Sequence, residues 1–201
     1  NRFLTARPMV PMMPKTDASE DTMIYDKLIK TAGIGESWLA DLIKDWENAL
    51  PNHIRLAYLP SLGHVKLRLT AFGEDKKVLA AAVEQQIQHI LPTISNYVYG
   101  YNEETLETAV GKLLKNSGKT LALAESCSGG YISHLITTVP GSSNYLRGTL
   151  VPYHNDLKEQ LLGVSSATLM QHGAVSEETV REMATGIKKL FGADFGLASS
   201  G

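Results

Sequence analysis

A serine becomes a nucleophile when a neighbour takes its proton, and a lysine desolvated enough to give up its own charge is such a neighbour. The segment Pro140-Gly141-Ser142-Ser143-Asn144-Tyr145-Leu146-Arg147-Gly148, followed by Tyr153 and Lys158, supplies both residue types. A turn and a strand's length lie between Ser143 and Lys158 and could fold them to one site. The same pair also reads as a helix cap and a solvated side chain, and spacing alone leaves both open. A second constellation is Leu121-Ala122-Leu123-Ala124-Glu125-Ser126-Cys127-Ser128-Gly129-Gly130, small and polar between a strand and a helix. Such a junction offers backbone N–H groups to an anion such as a phosphate, or is simply Ser128 capping the helix while the glycines allow close packing. It is neither GxGxxG nor a Walker loop. Cys127 beside the glycine turn reads either as a thiol nucleophile or as a small buried apolar group. The histidines at 53, 64, 89, 134, 154 and 172 show no HExxH or other metal-ligand spacing, so no metal and no cofactor is expected.

These residues need elements to hold them. The chain up to about Asp21 is rich in Pro and Met without period and reads as a linker or remnant over 1–21. A weak strand over Met23 to Lys30 stops at Gly33/Gly35. Trp38, Leu39, Leu42, Ile43, Trp46, Ala49 and Leu50 then mark one face of a helix ending before Pro51. Ile54 to Leu59 and Val65 to Ala71 read as a hairpin, the second strand alternating Val65, Leu67, Leu69 with Lys66, Arg68, Thr70. Helical spacing returns over Asp75 to Leu91, and Tyr97 to Tyr101 supplies an edge strand. That makes a small αβ domain over 22–101. From 102 to 201 the pattern is α/β: helix to about Lys115, strand Thr120 to Ala124, a helix broken by Pro140-Gly141, strand Thr149 to Tyr153, helix Leu157 to Leu162, helix Glu177 to Phe191, strand Asp194 to Ala198. Helices on both faces of a sheet, in three layers, are expected.

Composition limits the partners. Of the 201 residues, 43% are hydrophobic and 20% charged, enough for a packed core. The net charge of −2 gives no general field for nucleic acid. The basic Lys66/Arg68 face reads as a solvated strand face. The Gly33-Ile34-Gly35-Glu36 turn carries an acid where a clamp on single-stranded nucleic acid would need a base. One cysteine excludes an intrachain disulfide and suits a reducing compartment. No run is long enough to span a membrane and no signal-peptide segment is seen, so a cytoplasmic location is expected.

Taken together, AESCSGG from Ala124, PGSSNYLRG from Pro140, the spaced Tyr153, Asn155 and Lys158, QHGAVSEE from Gln171 and ADFGLASSG at the end resemble the CinA family of competence/damage-inducible proteins. They resemble in particular its C-terminal deamidase domain, and TAGIGESWLA with LAYLP resembles its KH-like middle domain, so that the likeness covers about Ile24 to Gly201. The resemblance implies hydrolysis of nicotinamide mononucleotide to nicotinate mononucleotide and ammonia. It puts the catalytic serine on Ser143, the tyrosine on Tyr153 and the lysine on Lys158, converging on a cavity beside the 126–130 turn. Ser126, Ser128, Gly129 and Gly130 would hold part of the nucleotide, with Ser200 and Arg147 as further substrate contacts. It also implies a homodimer whose ligand is a small nucleotide, with no membrane partner. The non-catalytic alternative is a CinA-like interaction module linked to competence or DNA repair. Two features depart from the family pattern: Pro152-Tyr153-His154-Asn155 puts a proline in the expected 149–153 strand, re-aiming Tyr153, and the family runs on beyond Gly201 into further strands, so the sheet domain is expected to be C-terminally incomplete. The molybdopterin-binding-like domain of long members, associated with ADP-ribose hydrolysis, has no counterpart in this sequence.

Overall fold

Period-two alternation builds the first half of the chain. In the computed structural model, which describes residues 22–201, β1 (Met23–Ala32), β2 (Ile54–Ser61), β3 (His64–Gly73) and β4 (Val98–Tyr101) form an antiparallel sheet in the order β2-β3-β1-β4. The linker expected over 1–21 lies outside the described residues. Val65, Leu67, Leu69 and Ala71 of β3 are buried under two helices, α1 (Glu36–Asn48) and α2 (Lys76–Ile94). Asp75 caps α2, its side chain accepting from the N–H groups of Lys77 and Val78 at 2.7 and 3.2 Å. The buried stripe of α1 is narrower than its pattern suggests: Leu39 and Ile43 are buried, whereas Trp38 is 79% exposed and Leu42 is exposed too. A helix packed along one edge on a sheet buries a stripe, and large residues one position off that stripe stay in water.

The second half is parallel. Its elements are α3 (Leu106–Ser117), β5 (Leu121–Glu125), α4 (Tyr131–Thr137), a 3-10 turn (Ser142–Asn144), β6 (Leu146–Leu150), α5 (Asn155–Leu162), α6 (Ser166–His172), α7 (Glu177–Phe191) and β7 (Phe195–Ser199). The strand order is β6-β5-β7, with β5 central and every one of its residues buried, as a parallel strand covered on both faces must be. Ala122 and Ala124 pack on one face against Leu162, Val164, Met183, Ile187 and Ala193. Leu121 and Leu123 pack on the other with Leu114, Ile136 and Tyr145. The chain divides into one unit ending at Asn102 and another from Glu103 to Gly201, each with cores of its own.

The strand expected over 149–153 is β6, three residues earlier at each end, so Pro152 lies beyond the ladder and removes no bond from it. Its start was disguised by Arg147 and Gly148. The glycine lets the Phe191 ring approach closely, for a Cβ there would meet the ring carbons at 3.3 Å. Helix α6 was not foreseen: it is only seven residues long, too short to show a period, and is started by Ser165, whose hydroxyl accepts from the Ala167 and Thr168 N–H groups. Among the described residues no helix is long and apolar enough to cross a membrane, and no group of metal-ligating side chains is found.

Candidate active site

Parallel strands bring all their C-terminal ends to one side of the sheet, where α/β folds gather ligand-binding loops. At that side stand the Ser126–Gly130 loop after β5, Val151-Pro152-Tyr153 after β6, and Ser199-Ser200 at the end of β7. The register pairs Ala124 with Leu150 and with Ala198. The Ser126 N–H donates to the Ser199 carbonyl at 3.0 Å, and a Cβ on Gly130 would come within 3.8 Å of Val151 Cγ2. The loop after β5 therefore abuts the exit of β6. Gly129 (φ +58) and Gly130 (φ +99) are left-handed, a conformation that costs an L side chain free energy and glycine none.

Of the two readings of this loop, the α4 N-terminus does hold an anion, and it is the chain's own. Glu125 is 1% exposed, and its Oε2 accepts from Ser128 Oγ (2.8 Å), the Gly130 N–H (3.1 Å) and the Ile132 N–H (2.9 Å). Its Oε1 accepts from the Ser133 N–H (2.7 Å) and from Ser133 Oγ. Burial alone would raise this carboxyl, but the donors from Ser133, Ser128 and Ile132 outweigh it and hold it below the usual carboxylate range. The sequence reading missed Glu125. The signal was an acid closing an apolar run just before a Ser/Gly turn. Ser128 Oγ also lies 2.6 Å from Ser199 Oγ, and Ser200 Oγ donates to the Ala174 carbonyl at 2.6 Å. By contrast, Ser126 is 9% exposed and its hydroxyl takes part in none of these bonds.

Lys158 is the largest fully buried side chain of the described residues, 1% exposed, in the first turn of α5. Its Nζ donates to the Pro152 and Tyr153 carbonyls at 3.0 and 2.9 Å and forms no described ion pair. Desolvation lowers its pKa below the ordinary lysine value. Pro152 is buried with it, while Tyr153 is 72% exposed. Cys127 is exposed, so of its two readings the small buried apolar group is the one the structure overturns.

Ser143 and Arg147 lie elsewhere. Ser143 sits in the turn that precedes β6, and that turn borders the start of β5, where the Leu121 N–H donates to the Tyr145 carbonyl at 2.7 Å. Lys158 follows β6. Five extended residues at about 3.3 Å each separate the two ends of that strand by roughly 16 Å. Arg147, also at the start of β6, donates from Nε to the Phe191 carbonyl that ends α7. The expected convergence of Ser143 with Lys158 is thus not formed, whereas Ser126, Ser128, Gly129, Gly130, Tyr153, Lys158 and Ser200 all stand at the C-terminal side of the sheet.

Residues 26–100 match the damage-inducible protein CinA KH domain and residues 103–201 the CinA C-terminal domain. A CinA-like protein of Cytophaga hutchinsonii is 52% identical over 178 residues, covering 89% of this chain and 43% of that protein. One from Amoebophilus asiaticus is 46% identical over 179 residues, with the same coverage of each. A solved CinA superfamily protein of Klebsiella pneumoniae aligns at 37% identity and a TM-score of 0.47, covering 47% of this chain and 59% of that one. The chain spans less than half the length of the two CinA-like relatives. With its two domain types adjoining in this order, the chain belongs to the CinA family.

Proposed function

We propose that the second unit hydrolyses the carboxamide of nicotinamide mononucleotide, giving nicotinate mononucleotide and ammonia, with Ser126 as nucleophile and Lys158 as its base. The observation that carries this reading is a lysine held 1% exposed without a carboxylate, its pKa lowered by burial, on the side of the sheet where Ser126 has an uncommitted hydroxyl. Family membership supports an amidohydrolase. In the proposed reaction Ser126 Oγ attacks the amide carbon while its proton passes to Lys158 Nζ, directly or through the Tyr153 hydroxyl. The tetrahedral intermediate collapses as Lys158 returns that proton to the leaving nitrogen. Water then cleaves the acyl-enzyme by the same relay, restoring Ser126 and releasing the carboxylate. Gly129, Gly130, Ser128 and Ser200 line the approach of the nucleotide.

The test is ammonia release from nicotinamide mononucleotide by the purified chain. Ser126→Ala and Lys158→Met are each expected to lower it by about a thousandfold or more, as loss of a nucleophile or base does, while Ser143→Ala leaves it intact. Activity surviving Ser126→Ala but lost in Ser143→Ala would restore Ser143 as nucleophile. Loss in Cys127→Ala alone would make the thiol the nucleophile. No turnover by the unmodified chain would favour the interaction-module reading.

A further inference from the structure

Glu125 is a charged group in the interior with no basic partner among the described salt bridges, and it takes no part in the proton transfers above. Such a group is expensive unless its oxygens are fully hydrogen-bonded. Here five donors converge on it, from Ser128, Gly130, Ile132 and, twice, Ser133. Those bonds extend sideways. Ser133 Oγ lies 2.7 Å from Thr149 Oγ1 on β6, and Ser128 Oγ lies 2.6 Å from Ser199 Oγ on β7. A single polar chain, Thr149 to Ser133 to Glu125 to Ser128 to Ser199, therefore crosses all three strands at the end where the candidate site stands. Both left-handed glycines of the loop lie inside the span that this carboxylate closes, and Ser126 is the next residue after it.

We propose that Glu125 is the positioning residue of this site: its carboxylate clamps the Ser126–Gly130 loop to the α4 amides and, through the flanking hydroxyls, to β6 and β7, so that the Ser126 hydroxyl is held toward Lys158. This rests on the deamidase reading given above. One consequence concerns the substrate. The Gly130, Ile132 and Ser133 N–H groups and the Ser128 hydroxyl proton are committed to Glu125, so the substrate phosphate is bound by other groups than these.

Glu125→Gln replaces one acceptor oxygen by an NH2 that faces donors only, at nearly unchanged volume. In the full 201-residue chain it is expected to lower kcat for nicotinamide mononucleotide by about a hundredfold, the cost of misplacing a reacting group by an ångström or so. KM should change far less, because ground-state contacts are kept. Hydrogen exchange at the Gly130, Ile132 and Ser133 amides should accelerate in the same variant. Ser133→Ala removes one donor and keeps the backbone bonds. It should show the same kcat-weighted loss at smaller size, and it keeps the question answerable if Glu125→Gln does not fold. Unchanged kcat per folded molecule in both variants, or retained protection of the three amides, overturns the proposal. If the unmodified chain releases no ammonia, the deamidase reading fails, and the exchange measurement still decides whether Glu125 clamps the loop.

Discussion

Burying an amine without a counter-ion costs free energy, and Lys158 shows which way the balance tips with pH. Its folded-state pKa is lowered by desolvation, while the unfolded chain keeps the ordinary value of about 10.4. Between those two values the unfolded state binds more protons than the folded one, so stability rises with pH across that window and levels off above it. Lys158→Met has no such titration. The Tm of the unmodified protein minus that of Lys158→Met should therefore grow as pH is raised from about 7 toward about 10, and a flat difference would mean that the buried amine is charged throughout. The residue types of this site were legible in the sequence; their partnership was not. A serine and a lysine on either side of a strand-length segment look close on paper. Spacing carries no information on strand direction, and β6 runs extended between them, taking Ser143 to one end of the sheet and Lys158 to the other. Ser126 was singled out in the sequence only as a nucleotide contact, because nothing in the local string tells a hydroxyl committed to a neighbour, such as that of Ser128, from one left free.

At the level of elements, helix α5 is what presents Lys158, and its position depends on an unusually close approach to α7. A Cβ on Gly186 would lie 2.0 Å from the Leu162 carbonyl oxygen at the end of α5. Gly186→Ala gains about 1 kcal/mol of helix propensity but must push the helices apart, at a cost of about 3 kcal/mol. A lower urea midpoint is expected, together with reduced ammonia release as α5 and its lysine shift; Thr185→Ala, exposed and one residue earlier, should leave both nearly unchanged. Elements with a long period were legible: α2 and α7 from their apolar stripes, β3 from its alternation, β5 as a short buried run. Those that failed did so for physical reasons. In β6 the alternation is interrupted by a glycine that serves tertiary packing, α6 is shorter than two helical turns, and Trp38 follows the helical pattern of α1 while remaining in water.

Across the whole molecule, the described core residues fall into clusters that each belong to one unit, the first gathered under the antiparallel sheet and the others on the two faces of the parallel one. Stability should then be divided as the cores are. Leu67, fully buried in the first unit, and Met183, fully buried in the second, lose about 2–5 kcal/mol on truncation to alanine if each leaves a cavity. Calorimetry of the unmodified chain is expected to resolve two transitions, since each unit unfolds about its own core. Leu67→Ala should lower one of them and Met183→Ala the other, with ammonia release following only the transition that Met183→Ala moves. A single transition shifted by either substitution would mean that the two units unfold together, and the chemistry of the second would then depend on the core of the first.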